Sequence, residues 1–274
     1  TSGVDIILSG GEILLLPEGV VGRHGKAGVR KDGRHLIEEA AALGYTVVYT
    51  RDELLELPDT SARALGVFAA KHTFNDEPEE VLAEAGLPLY EPDAPTLAEM
   101  TRKALDILAM RDRPFLMVVE EEGSDNFAND NNAAGALEAL RRADEAIGVV
   151  LEHIERSPQT LLVTAADSDA GGLEVMAVRD SDAFDRPLPA VSPNGSPLDG
   201  RGGTVTPPFV AAPDRHGRQL RFGIVWATGD DVAGGVVARA HGLNADMLPR
   251  NVDNTDIYRL MYATLFGRLP AATA

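Results

Sequence analysis

A chain of 274 residues, 44% hydrophobic and 25% charged, carries enough apolar content for a full α/β core. Its net charge of −18 at pH 7 argues against nucleic acid and anionic membrane surfaces as partners. Cysteine is absent, which excludes disulfides, zinc–thiolate sites and thiol catalysis.

Apolar runs alternate with helical patterns, and this predicts an α/β fold with a central, mostly parallel sheet flanked by helices. Residues 4–8 read as a strand ending at Gly10 and Gly11. A short helix over 35–43 is stopped by Gly44, and β-branched residues mark a strand at 46–50. Residues 66–69 suggest a third strand. An acidic stretch over 71–95 holds four prolines, so it reads as an irregular connection. Thr96 with Glu99 forms a capping box that opens a helix to about residue 110, with Leu97, Met100, Ala104, Leu105 and Leu108 at core spacing. Residues 115–120 read as a strand. The longest helix follows over 132–153, with Leu137, Leu140, Ile147 and Leu151 on one side. A buried-type strand is expected at 161–165. Residues 179–218 shift to Pro, Gly, Asp and Ser, the composition of a lid or an insertion. A strand at 222–228 and a helix over 254–266 complete a single domain, 1–274. No apolar run approaches the roughly 20 residues of a membrane span. The chain starts at Thr1 with no visible signal peptide, so a processed or fragmentary polypeptide is the expectation.

Two acidic stretches follow apolar strand-like runs, and in open α/β sheets ligands bind beyond the carboxyl ends of strands. Glu120 ends the first run, with Asp125 and Asn129 in the expected loop beyond it. Asp167, Ser168 and Asp169 follow the second. Neither stretch has a His or Cys, so oxygen donors would select a hard cation such as Mg²⁺, Ca²⁺ or Mn²⁺. Of the six histidines, His72 is the best placed to add an imidazole; the others read as local structure.

The order of segments resembles the C-terminal part of the bacterial alkaline phosphatases. The family's VEGGRIDHAGHDNDAAGAL is matched by VEEEGSDNFANDNNAAGAL, and its VTADHETGG by VTAADSDAGG. The segments GVDIILSGG, APTLAEMTRKALDIL, ATGDDV and VDNTDI also follow the family's order. By resemblance, Glu120 matches a magnesium-type ligand, while Asp125 and Asp167 match ligands of the two catalytic ions. Asn129, Ser168 and Ala227 stand where the family has metal-binding histidines. The resemblance thus implies zinc, whereas the residues present favour Mg²⁺ or Ca²⁺ held by Glu120, Asp125, Asn129, Asp167 and Ser168. Asp169, Asp230 and Asp231 are expected to orient those ligands.

The family's nucleophilic Ser lies upstream of the matched segments, so no catalytic nucleophile is expected within this chain, whose N-terminus reads as incomplete. The implied function is metal-dependent hydrolysis of small phosphate monoesters by a periplasmic or secreted protein, as a homodimer. A non-catalytic cation- or phosphate-binding relative and a phosphodiesterase of the same superfamily are the alternatives.

Overall fold

The computed structural model describes residues 3–232 and 234–270. In chain order the first elements are β1 (Ile6–Ser9), α1 (Glu12–Leu15), α2 (Leu36–Ala42), β2 (Thr46–Val48), α3 (Arg51–Glu56) and β3 (Ala64–Val67). Next come α4 (Glu79–Ala85), α5 (Leu97–Ala109), α6 (Gly123–Asn129), α7 (Ala133–Arg156), β4 (Leu161–Thr164) and β5 (Leu173–Val178). The remainder is β6 (Leu198–Gly200), β7 (Gly203–Thr204), β8 (Phe209–Val210), β9 (Arg221–Trp226), β10 (Arg239–Gly242) and α8 (Asn254–Phe266). The chain divides into two compact units. The first takes residues up to Asn75, Tyr90–Val119 and Arg142–Ser157; the second takes Asp76–Leu89, Glu120–Arg141 and residues from Pro158 onward.

In the first unit a parallel sheet has the order β1-β3-β2. All four residues of central β3 are buried, as expected of a parallel strand covered on both faces. Ala64 and Phe68 pack with Val48, Leu54, Leu57 and Ile107 in one cluster. Leu65 and Val67 pack with Leu16 and Ile37 in the other. The predicted capping box is present: Thr96 Oγ1 accepts the Glu99 N–H, and Glu99 accepts the Thr96 N–H. It starts α5, whose Ala104, Leu105, Ile107 and Leu108 are buried. The sequence reading missed α3, which Thr50 caps in the same manner through the Glu53 N–H.

The strand expected at 115–120 does not form: among the described residues this stretch pairs with no other strand, and Leu116, Val118 and Val119 are exposed. β propensity describes fit to a pleated, half-buried surface, and without a partner ladder a β-rich sequence stays extended but unpaired.

The second unit is built from antiparallel pairs. β4 pairs with β10, and β5, β9, β6 and β7 form a sheet in that order, with β8 also on β9. The stretch 179–218, expected to be a lid or an insertion, has structure of its own and supplies β6, β7 and β8. Leu198 of β6 and Ile224 and Trp226 of β9 are buried in this sheet.

In α7 the expected leucine stripe is outward: Leu137, Leu140 and Leu151 are exposed, while Ala133, Ala136, Ala139, Ala146, Val149 and Ile154 are buried. Small residues let this face approach its neighbours closely. At Gly135 an added Cβ would lie 2.4 Å from the Phe127 ring. The start of α7 is fixed by Asn132, which is 0% exposed. Its Oδ1 accepts the Gly135 N–H at 2.6 Å and its Nδ2 donates to the Glu77 carbonyl at 2.7 Å. Replacing Asn132 with Ala is expected to cost about 2–4 kcal/mol, the sum of a lost N-cap and a buried carbonyl left unpaired. Urea denaturation measures this; a loss under about 0.5 kcal/mol would show that the cap is redundant.

Candidate metal centre

The segment from Gly123 to Asn129 is helical, although Gly, Ser, Asp and Asn are poor helix formers. Burial of Phe127 and Ala128 outweighs that propensity. The consequence is geometric: Asp125 and Asn129 stand one turn apart on a common helix face. Asn131, at φ +54, then reverses the chain into α7 and donates through Nδ2 to the Thr228 carbonyl at 2.9 Å. Asn tolerates the left-handed conformation better than most residues.

Two further segments converge on α6. The loop after β4 carries Asp167, Ser168 and Asp169, with Ala170 at φ +42. Gly171 follows, and a Cβ there would lie 2.2 Å from the Ala128 carbonyl, so only glycine permits this approach. After β9, the Ala227 N–H donates to the Gly171 carbonyl at 3.0 Å and brings Asp230 and Asp231 alongside. Asn129 Nδ2 donates to Asp231 at 3.1 Å and, more weakly, to Asp125 at 3.4 Å. Asp169 packs against Gly234, where a Cβ would lie 2.2 Å from its carboxylate.

Electrostatics mark this as an under-neutralised cluster. Burial pushes the Asp125 carboxyl above its ordinary range; Asp231 adds to the shift through its charge and a shared hydrogen bond, followed by Asp167 and Asp230. Asn129 Oδ1 is buried with no hydrogen-bond partner. These are oxygen donors, and they fit a hard divalent cation better than zinc. Among the described residues, no three His, Asp or Glu side chains already stand close enough to hold an ion.

Of the residues singled out in the sequence, Asp125, Asn129 and Asp167 are brought together. Ser168 lies beside them, its Oγ accepting the Ala170 N–H at 3.1 Å. Glu120 is exposed on the unpaired stretch before α6. Asp231 is more central than its sequence signal suggested. That signal was an acidic pair soon after a strand, the pattern already seen at Asp167 and Asp169. His72, in the first unit, stacks on Phe74 with ring centroids 5.0 Å apart.

The family profile of alkaline phosphatase matches residues 1–186, more than half of the sequence. The chain belongs to the alkaline phosphatase family. The membrane-bound alkaline phosphatase of Bombyx mori is 31% identical over 167 residues, covering 58% of this chain and 28% of the relative. The repressible alkaline phosphatase of Saccharomyces cerevisiae is 32% identical over 183 residues, covering 62% and 31% respectively. The chain thus spans about a third of the length of the curated relatives it matches. Thermus thermophilus alkaline phosphatase shares the fold with a TM-score of 0.66 at 23% identity, covering 97% of this chain and 63% of that one. A TAB5 alkaline phosphatase variant solved with Mg bound aligns with a TM-score of 0.63 at 17% identity, covering 96% and 61%. The alkaline-phosphatase-like α/β fold expected from the sequence is therefore the fold observed.

Proposed function

We propose that this protein takes part in phosphate monoester hydrolysis and that the second unit supplies a divalent-cation centre of the hard, oxygen-liganded type. The observation that carries the reading is the convergence of Asp125, Asp167, Asp230 and Asp231 on Asn129, whose buried Oδ1 has no partner. Asp125, Asp167 and Asp231 would hold the cation. Asn129 would contribute once its amide turns its oxygen inward, an exchange of donor for acceptor that rotation of the amide allows. Ser168 offers a hydroxyl oxygen at the rim, and Glu120 would serve a separate magnesium-type ion. When bound, such a cation offsets the negative charge of the phosphoryl oxygens. The chain's own residues set where that charge sits, because α6 and the loops after β4 and β9 fix the carboxylates from three directions. Both compact units would then belong to one family domain, since the family match runs through both. Export to the periplasm or the outside, and pairing into a homodimer, belong to the same proposal. Among the described residues no helix is long and apolar enough to cross a membrane.

The test is hydrolysis of a nitrophenyl monoester and a bis(nitrophenyl) diester with Mg²⁺, Ca²⁺, Mn²⁺ or Zn²⁺ added to metal-stripped protein joined to the family's nucleophile segment, since no nucleophile is assigned within these 274 residues. Monoester turnover activated by Mg²⁺, Ca²⁺ or Mn²⁺ and not by Zn²⁺ is the expected result. Faster diester cleavage would assign a phosphodiesterase instead, and cation binding without turnover would assign a non-catalytic binder.

A further inference from the structure

Helix α8, in the second unit, carries an aromatic ladder on its outer side. Tyr258, Tyr262 and Phe266 recur every fourth residue, one turn apart along a common face. Their rings tilt against one another, with centroids 5.9 Å apart for Tyr258 and Tyr262 and 4.6 Å for Tyr262 and Phe266. The other side of the helix holds it to its own unit: Leu260 and Ala263 are buried, and Asn244 Nδ2 donates to Thr264 Oγ1 at 3.1 Å. That packing leaves the ladder outside. Tyr258 is 53% exposed and Phe266 62%, and Leu269, just beyond the helix, is 61% exposed. Contiguous exposed apolar side chains of this size mark an interaction surface.

Charge limits what can meet this face. The chain holds 43 Asp and Glu residues and a net charge of −18, so two copies repel over most of their surface. From Ile257 to Gly267, however, α8 has no carboxylate and a single charged side chain, Arg259. Opposite charges gather at its two ends. Asp253 and Asp256 form the capping box at the start, and Arg268 follows the C-terminal Gly267. Asp256 pairs with exposed Arg259 at 3.3 Å, a contact of small worth, while among the described residues Arg268 pairs with no carboxylate. The pattern is symmetric about Tyr262: Tyr258 and Phe266 lie four residues to either side of it, and Asp256 and Arg268 six.

We propose that α8 is the surface on which two copies of this chain pair, with the helices antiparallel across a two-fold axis at Tyr262. In that register Tyr262 meets Tyr262 of the partner subunit, and Tyr258 meets Phe266 of the partner subunit. The acidic start of each helix faces the partner subunit's Arg268. Antiparallel helices also set the positive end of each dipole beside the negative end of the other. A parallel pair would bring Asp256 onto its own copy and Arg268 onto its own copy, so charge selects the antiparallel arrangement. The inference names the surface for the homodimer proposed above and rests on that pairing, not on the cation centre. A covered aromatic side chain buries about 150–250 Å². Half-exposed rings and flanking residues from two copies therefore reach about 1,000 Å², the low end for a specific interface, and a micromolar Kd is expected.

The experiment is sedimentation of the full chain from sub-micromolar to sub-millimolar concentration, followed by cross-linking. The unmodified chain is expected to pass from monomer to dimer. Tyr262→Arg, with its fold checked by circular dichroism, is expected to raise Kd by about 100-fold or more, because two guanidinium groups would meet on the axis. Cysteine is absent, so one introduced thiol reports geometry. Helix axes about 8–10 Å apart leave facing Cα atoms within the roughly 4.4–6.8 Å of a disulfide, so Tyr262→Cys is expected to cross-link to its own copy on mild oxidation. Tyr258→Cys is displaced from its own copy by about 12 Å along the axis and is expected to cross-link with Phe266→Cys but not with itself. A monomer at every concentration would overturn the homodimer together with this surface, leaving the ladder to another protein or a membrane. A dimer that Tyr262→Arg leaves intact would overturn α8 alone and place the interface elsewhere. Self-cross-linking of Tyr258→Cys as efficient as that of Tyr262→Cys would overturn the antiparallel register.

Discussion

Asp125→Asn is expected to weaken divalent-cation binding by about 100-fold or more, since even groups that only support a ligand cost about 10- to 100-fold. The same substitution is expected to raise the melting temperature of the cation-free protein at neutral pH. Asp125 is pushed upward by burial and by Asp231, Asp167 and Asp230, so its ionised form opposes folding. A neutral amide of the same shape removes that opposition. Opposite movement of affinity and stability separates a cation-holding carboxylate from one that merely supports α6. Manganese binding followed by electron paramagnetic resonance, together with a thermal melt in a chelator, reads both quantities. Unchanged affinity would remove Asp125 from the centre, and a lower melting temperature would mean that its hydrogen bonds outweigh the repulsion.

Trp226→Ala is expected to give the largest loss of stability in the second unit. The ring is 0% exposed and packs beside Gly171, where an added Cβ would lie 3.1 Å from the indole. Truncating a buried Trp costs about 3–5 kcal/mol through lost burial and the cavity left behind. Asp199, 2% exposed, would also lose its indole donor, which adds about 1–3 kcal/mol. Against a typical folding stability of about 5–15 kcal/mol, that combination unfolds a large fraction of the molecules. Trp226→Phe keeps most of the volume and isolates the hydrogen bond, with an expected loss of about 1–3 kcal/mol. Chemical denaturation of both variants is the measurement. Equal losses would assign the whole effect to Asp199 and none to packing.

The two substitutions act on opposite sides of one connection. Trp226 ends β9, and the next residues, Ala227 and Thr228, are tied to Gly171 and Asn131 before the chain reaches Asp231. The rigid core of the antiparallel sheet thereby positions a carboxylate that the sequence alone ranked as peripheral.

Local chemistry made several elements legible in the sequence. The Thr96–Glu99 box writes the start of α5 into a few adjacent residues. The β-branched runs of β2 and β4 and the oxygen-only character of the acidic stretches are equally local. So are the motifs carrying the family resemblance, which order alone made specific. What the sequence could not supply depended on partners distant along the chain. The stretch 115–120 has strand composition but pairs with no strand among the described residues. In contrast, β6, β7 and β8 arise from a Pro- and Gly-rich stretch because β9 is there to pair with. The leucines of α7 looked like a core face, yet glycine and alanine permit the closer approach and take the buried side. Asp125 and Asn129 were legible as oxygen donors from their residue types. Their placement with Asp231 was not, because it required helix α6 to form against its own propensity through the burial of Phe127. The sequence by itself determined the fold class and the kind of donor; tertiary packing decided which carboxylates meet, because non-local burial outweighs the small energies of local preference.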